Sequence, residues 1–170
     1  MSVSAYHQHT VAGPVIFAGI GVHTGAHVRV AVRPAAPNAG ITFVRTDLKT
    51  GDNAIRVSAE AVGQTRLGTV INNDAGASVS TIEHLMAAMS ALAIDNAVVE
   101  LDGPEVPILD GSAAVFIQIL DRAGRRRQEA PRSFIEVLEP IEVVEGDKTA
   151  ALLPCDGFEM AFEIQFDSAP

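Results

Sequence analysis

The chain has 170 residues, of which nearly half are hydrophobic and under a fifth are charged, a composition typical of a globular protein. Its formal net charge of −9, from 21 acidic and 12 basic residues, argues against a nucleic-acid partner, because phosphate binding needs a basic surface. The single cysteine, Cys155, excludes an internal disulfide and favours a reducing compartment. The first residues lack the features of a signal peptide, and the longest apolar run, 85–94, is too short to cross a membrane. We therefore expect a cytoplasmic protein without a transmembrane segment.

Short strands separated by turn signals are predicted over the first eighty residues. A strand at 15–17 leads into a glycine-rich loop at 19–25. Valines then alternate with arginine and alanine over 27–33, the period of a half-buried strand. Another strand is predicted at 41–45, and the segment Asn-Asn-Asp-Ala-Gly at 72–76 favours a hairpin turn after a strand at 67–71.

Two helices are predicted between residues 80 and 124. The first begins at Ser80-Thr-Ile-Glu83, which fits a capping box, with a hydroxyl at the cap and a carboxylate three residues later. On this helix His84 lies nearly opposite an apolar stripe, on a face of alanines that suggests a second packing surface. After a strand at 96–101 and an extended segment at 104–109, Asp110-Gly-Ser112 opens a second helix over 113–123, closed by Gly124. The stripe consists of Ile82, Leu85, Met86 and Met89.

From residue 125 onward, the sequence predicts a linker and the beginning of a second domain. Residues 125–132 are polar, and three strand-like runs follow at 134–144, 149–153 and 158–166. Within this region, residues 140–142 and 149–154 weakly resemble residues 14–16 and 28–34 near the start of the chain. We therefore expect a first domain at 1–124, a linker at 125–132 and the first strands of an incomplete second domain at 133–170.

Glu83 and His84 are the residues best suited to metal chemistry. A neutral imidazole binds zinc well, and a carboxylate beside the metal can take a proton from water. Spacing alone favours a structural interpretation, in which Glu83 completes the capping box and His84 is a core histidine. The metalloprotease pattern H-E-x-x-H is absent.

The glycine-rich loop carries a further candidate, His23. Its G-x-G-x-x-x-G spacing, followed by a strand, excludes the dinucleotide-binding fingerprint. Glycines allow a backbone to approach a ligand closely, and a tight turn with an exposed histidine is an equally good interpretation.

Four motifs occur together in this sequence: GIGVHTG at 19–25, STIEHL followed by MAA at 80–88, IDN at 94–96 and PEVPILDGSA at 104–113. In this order and spacing they closely resemble the UDP-3-O-acyl-N-acetylglucosamine deacetylases, the zinc enzymes that commit Gram-negative bacteria to lipid A synthesis. The resemblance covers essentially the whole chain.

The resemblance implies an α+β fold of two similar two-layer sandwiches, each a sheet backed by two helices in the manner of the second domain of ribosomal protein S5. The active site would lie in the cleft between them. It further implies that Zn²⁺ is the cofactor, with His84 as one ligand and Glu83 as the general base for the attacking water. His23 would assist binding of the substrate, UDP-3-O-acyl-N-acetylglucosamine.

Much of the family's second domain has no counterpart in this chain. The other two zinc ligands, in a His-Lys-x-x-x-Asp motif, the catalytic lysine, a second acid–base histidine and the passage for the acyl chain all belong to that domain. Our first hypothesis is therefore the N-terminal portion of a deacetylase, inactive alone. Two alternatives are a non-catalytic module that binds a nucleotide sugar or a partner, and one half of a split enzyme whose second half is encoded separately.

Overall fold

A computed structural model describes residues 6–49 and 51–164 of the chain. Contacts between Cα atoms divide the chain into two units, residues 1–132 and 133–170. The elements of the first unit are β1 (His7–Val11), β2 (Val15–Ile20), β3 (His27–Pro34), β4 (Ile41–Arg45), β5 (Ala54–Arg56), β6 (Val62–Gln64), β7 (Val70–Asn72), β8 (Ser78–Val79), α1 (Glu83–Ala91), β9 (Ala97–Leu101), α2 (Ala113–Ala123) and β10 (Arg125–Pro131). Those of the second are β11 (Ile141–Glu145) and β12 (Lys148–Leu152).

The main sheet of the first unit has five strands in the order β2-β3-β9-β4-β5. Strands β4 and β9 are parallel, and the other neighbours are antiparallel. Val28, Val30 and Val32 of β3 are buried while Arg29 and Arg33 are exposed, which confirms the predicted half-buried strand. One face of the sheet therefore carries the hydrophobic core.

Helices α1 and α2 contact each other and share this core with the sheet. Leu85 and Met89 of α1 are fully buried, as are Phe116 and Leu120 of α2. The ring of Phe116 meets that of Phe17 edge-on, with centroids 5.6 Å apart and planes at 76°. A sheet with two helices is the α+β architecture that the sequence predicts. In the described part of the chain, no helix has the length and apolar character needed to cross a membrane.

Helix α2 begins and ends where local signals place it. The hydroxyl of Ser112 accepts the N–H of Ala114 at 3.2 Å, as an N-terminal cap does. Gly124 follows the helix with a φ of 71°, and its N–H donates to the carbonyl of Asp121 at 2.9 Å. Both ends of the predicted helix are confirmed.

The linker predicted over 125–132 is wrong for residues 125–131, which form β10 and pair antiparallel with β1. Polar composition conceals this strand because its buried residue is an amide. Gln128 accepts a hydrogen bond from Asn96 at 2.7 Å and donates to the carbonyl of Ala35 at 2.8 Å. The strand therefore belongs to the first unit.

Strands β6, β7 and β8 form a small antiparallel sheet. The hairpin turn predicted at 72–76 is confirmed, since it joins β7 to β8, with the Asn73 side chain accepting the N–H of Ala77 at 3.0 Å. The strand expected from residue 67 begins only at Val70. Leu67 has a φ of 62°, which is incompatible with an extended strand.

In the second unit, β11 and β12 form a hairpin. Gly146, with a φ of 62°, takes the first position of its two-residue loop, as a type II′ turn requires. The strand predicted over 134–144 is confined to 141–145. The run predicted at 158–166 is wrong over 158–164, where no described strand supplies a hydrogen-bonding neighbour, and residues 165–166 lie outside the described part.

Candidate active site

Glu83 is the first residue of α1, and its carboxylate contacts the loop that precedes β7. Its Oε2 accepts the backbone N–H of Thr69 at 3.0 Å. The predicted capping box is therefore wrong, because the N–H of Ser80 donates to the carbonyl of Pro104 at 2.9 Å instead of meeting Glu83. Thr81, with a φ of 58°, separates Ser80 from the helix and breaks the reciprocal geometry of a capping box.

His23 lies in the tight turn that joins β2 to β3. The turn is closed by backbone hydrogen bonds from Gly21 to the carbonyl of Ala26 and from Gly25 to the carbonyl of Gly21, both 2.9 Å long. The imidazole of His23 is exposed, and its Nε2 lies 2.9 Å from the carbonyl oxygen of Leu67. Because a carbonyl oxygen only accepts, Nε2 carries the hydrogen in this contact.

His23 and Glu83 face the same short segment, residues 67–69. A Cβ atom placed on Gly68 would lie 3.5 Å from Oε1 of Glu83 and 3.7 Å from Nε2 of His23. The hydroxyl of Thr81 would be 3.6 Å from the same point. The fold therefore brings two of the three predicted site residues close to one glycine.

His84 follows Glu83 and is half-buried, whereas Asp110 and Ser112 lie at the start of α2. The N–H and the hydroxyl of Ser112 donate to Asp110 at 2.9 and 3.0 Å, and these bonds are the main reason that the pKa of Asp110 lies below its usual value. A protonated His84 would lower that pKa further. Asp110 is thus a helix-start residue, as predicted.

Catalytic zinc sites use three protein ligands and keep one position open. Among residues 6–49 and 51–164, no three or more His, Cys, Asp or Glu side chains are grouped so that they could hold a metal ion. One imidazole with nearby carboxylates fits a portion of such a site and falls short of a complete one.

Sequence reasoning missed one acid beside this site, Glu105. It is fully buried and accepts hydrogen bonds from the backbone of His23 and the hydroxyl of Thr81. Its sequence signal is a lone charged residue inside the otherwise apolar segment 104–109. Lys, Glu, Arg and Asp are almost never fully buried unless they are paired, so a glutamate in such a segment points to specific partners.

The family model described as UDP-3-O-acyl N-acetylglycosamine deacetylase matches residues 8–170. A protein of Phenylobacterium zucineum named UDP-3-O-acyl-N-acetylglucosamine deacetylase is 65% identical over 161 residues, which cover 95% of this chain and 55% of that protein. Proteins of the same name from Shewanella baltica (strain OS155) and Myxococcus xanthus are each 46% identical, covering 94% and 98% of this chain and 52% of their own length. The chain thus spans about half the length of the relatives it matches. A match over nearly every residue establishes that the chain belongs to the UDP-3-O-acyl-N-acetylglucosamine deacetylase family.

Proposed function

We propose that this chain contributes the Glu83–His84 part of a zinc-dependent active site, and that the complete enzyme hydrolyses the acetamide of UDP-3-O-acyl-N-acetylglucosamine. The observation that carries the proposal is the meeting of Glu83 and His23 at Gly68, with His84 next in the chain. The names of the relatives support the substrate. A nucleotide-sugar substrate and a lone cysteine suit a cytoplasmic location, which we propose as well.

The reaction assigns one role to each side chain. An oxygen of water bonds to the acetamide carbon, and the C–N bond breaks to give acetate and a free amine. Glu83 takes a proton from the attacking water, and the acid–base histidine expected in the second domain would give a proton to the leaving nitrogen. Its Oε2 is held by the N–H of Thr69, and Gly68 leaves space beside Oε1 because it has no side chain. His23, exposed at the edge of this space, binds the substrate.

His84 is proposed as one of the zinc ligands. Zinc, when bound, polarises a carbonyl group and makes water more acidic. The two further ligands that such a site needs would come from sequence beyond this chain, in a second domain that residues 133–170 would open. The length of the relatives, about twice the matched region, supports this assignment.

The test joins residues 1–170 to the part of the Phenylobacterium relative that this chain does not match. Acetate release from UDP-3-O-acyl-N-acetylglucosamine and bound zinc are measured for this chimera and for the 170-residue chain alone. We expect release by the chimera and none by the chain. Glu83→Gln should lower the rate about 100-fold or more with zinc retained, and His84→Ala should lose zinc.

The control is Glu100→Gln, the same change at a half-exposed carboxylate on β9 that pairs with Arg33. It should leave the rate unchanged. Full activity of the Glu83→Gln chimera would overturn the role of Glu83 as base. A chimera that binds the nucleotide sugar and zinc but releases no acetate would favour a binding module instead.

A further inference from the structure

Glu105 lies where the loop of His23 meets the segment before α1. Its backbone forms a bridge with Ser80, in which the N–H of Val106 donates to the carbonyl of Ser80 at 3.1 Å. The side chain of Glu105 is 0% exposed. A charged group removed from water in this way needs hydrogen-bond donors directed at both oxygens.

Four donors, two for each oxygen, satisfy this carboxylate. Oε1 accepts the N–H of His23 at 3.1 Å and the hydroxyl of Thr81 at 3.0 Å. Oε2 accepts the N–H of Thr24 at 2.8 Å and its hydroxyl at 2.7 Å. Burial alone would raise the pKa of Glu105, but the hydrogen bonds from Thr24, His23 and Thr81 outweigh it, so the pKa lies below its usual value. The ionised form is therefore the one that this pocket holds.

The donors come from two separate parts of the chain. His23 and Thr24 belong to the loop between β2 and β3, whereas Thr81 stands two residues before Glu83. Thr81 also has a φ of 58°, a conformation that a β-branched residue adopts only when its surroundings hold it there. The carboxylate thus fastens the loop to the start of α1.

Gly21 is what allows the carboxylate to come so close. A Cβ atom on Gly21 would overlap Oε2 of Glu105 and Oγ1 of Thr24. The carboxylate of Glu105 therefore fits against the loop because position 21 has no side chain. A neutral residue of the same size as glutamate would not reproduce the four hydrogen bonds.

We propose that Glu105 is a positioning residue that sets the place of His23 relative to Glu83. The role for catalysis rests on the proposed function, since it needs His23 to bind the substrate. The structural part does not, because it concerns only the loop and the start of α1.

Glutamine at position 105 is the direct test. Its amide group would face the N–H of His23 in one orientation and the N–H of Thr24 in the other, so one backbone donor loses its acceptor in either case. In the 170-residue chain, Glu105→Gln should speed hydrogen exchange of these two amides by about tenfold or more, with that of Val99 in the core unchanged. The ¹⁵N signals of the His23 ring should shift as its contact with Leu67 loosens. Glu100→Gln should change none of these.

Unchanged exchange at His23 and Thr24 would overturn the proposal, as would an equal increase at Val99, which would indicate a general effect on stability. If Glu105→Gln does not fold, a comparison of Thr81→Val with Thr81→Ser tests the positioning role of Glu105 instead. The valine removes the hydroxyl and should shift the His23 ring signals, while the serine keeps the hydroxyl and should not. Equal spectra for both would count against the proposal.

The chimera tests the consequence for catalysis. If Glu105 acts through His23, then Glu105→Gln combined with His23→Ala should lower kcat/KM no further than His23→Ala alone. Losses that multiply would overturn this role. A chimera without any activity would overturn the proposed function, while the exchange experiment would still decide whether Glu105 positions the loop.

Discussion

The carboxylate of Glu83 and the backbone N–H of Thr69 are joined by a hydrogen bond of 3.0 Å. Two residues earlier, the carbonyl of Leu67 accepts from the ring of His23 at 2.9 Å. The two candidate site residues therefore hold the two ends of one short segment. The proposed base has a structural task in addition to its chemistry, and the two can be separated experimentally.

Glu83→Gln and Glu83→Ala are expected to differ in structure although both remove the base. The glutamine keeps a carbonyl oxygen that can accept from Thr69, whereas alanine leaves that N–H without its acceptor. We expect Glu83→Ala to lower the free energy of unfolding by about 1 kcal/mol and to speed exchange of the Thr69 amide. Glu83→Gln should change both much less. Equal exchange of Thr69 in the two variants would contradict the contact.

A second prediction concerns the space at Gly21. Gly21→Ala places a Cβ atom against the carboxylate of Glu105 and the hydroxyl of Thr24, so the loop has to move. We expect a loss of about 1–3 kcal/mol in urea unfolding, as for other overpacked positions. Gly13→Ala is the control, because no atom lies within 4 Å of its added Cβ, and it should stay within about 0.5 kcal/mol of wild type.

The parts of the fold that the sequence predicts correctly depend on local signals. Helix α2 follows from Ser112 and Gly124, which act on their immediate neighbours. Strand β3 follows from alternating valines, because side chains of a strand point alternately to the two faces. Elements of this kind can be predicted from a few residues that are neighbours in the sequence.

The parts that it misses depend on partners far away in the chain. Residues 125–131 form a strand because they pair with β1, and the residues of the segment itself do not indicate this pairing. Glu83 fits a capping box by spacing, but its partner proves to be Thr69. Glu105 was not predicted as a site residue because its donors lie at positions 23, 24 and 81. For the proposed zinc site the limit is different, since a single candidate ligand does not define a site.

The amide of Asn96 should be among the strongest single contributors to stability in the first unit. It is buried, donates to Gln8 and Gln128 at 2.8 and 2.7 Å, and accepts the N–H of Gly40 at 2.8 Å. Asn96→Ala removes all three bonds and leaves buried polar atoms without these partners, so we expect a loss of about 3 kcal/mol. Asn72→Ala, at an exposed position on β7, should stay within about 0.5 kcal/mol. Thermal and urea unfolding measure the stability of the two variants. Similar losses in Asn96→Ala and Asn72→Ala would argue against the hydrogen bonds of Asn96.

Serine substitutions test which helix is capped by a side chain. Ser112→Ala removes the acceptor for the N–H of Ala114 and should cost about 1 kcal/mol. Ser90→Ala, at an exposed position within α1, should lie within about 0.5 kcal/mol of wild type. Ser80→Ala should leave the start of α1 intact, because Ile82 occupies the cap position of α1 and the Ser80 hydroxyl donates to the carbonyl of Pro104 at 3.2 Å instead. Faster hydrogen exchange in the first turn of α1 in Ser80→Ala would restore the capping-box interpretation.

The pKa of Glu105 predicts how stability changes with pH. Hydrogen bonds from Thr24, His23 and Thr81 overcome the effect of burial and hold this pKa below its usual value. The ionised carboxylate therefore stabilises the fold above the ordinary pKa of glutamate, and this contribution is lost as the pH falls through the folded-state pKa. A protonated Glu105 also carries an O–H group that faces one of the four hydrogen-bond donors around it. The NH₂ group of a glutamine would do the same at any pH.

Wild type and Glu105→Gln should therefore differ most near neutral pH and converge in acid. We expect urea unfolding to show wild type more stable by about 1–3 kcal/mol at pH 6, with that difference shrinking as the pH falls below the ordinary pKa of glutamate. Asn96→Ala provides the comparison, because the three buried hydrogen bonds that it removes involve no titratable group. A Glu105→Gln deficit that stays the same size from pH 6 into acid would mean that the carboxylate contributes through its shape and not through its charge.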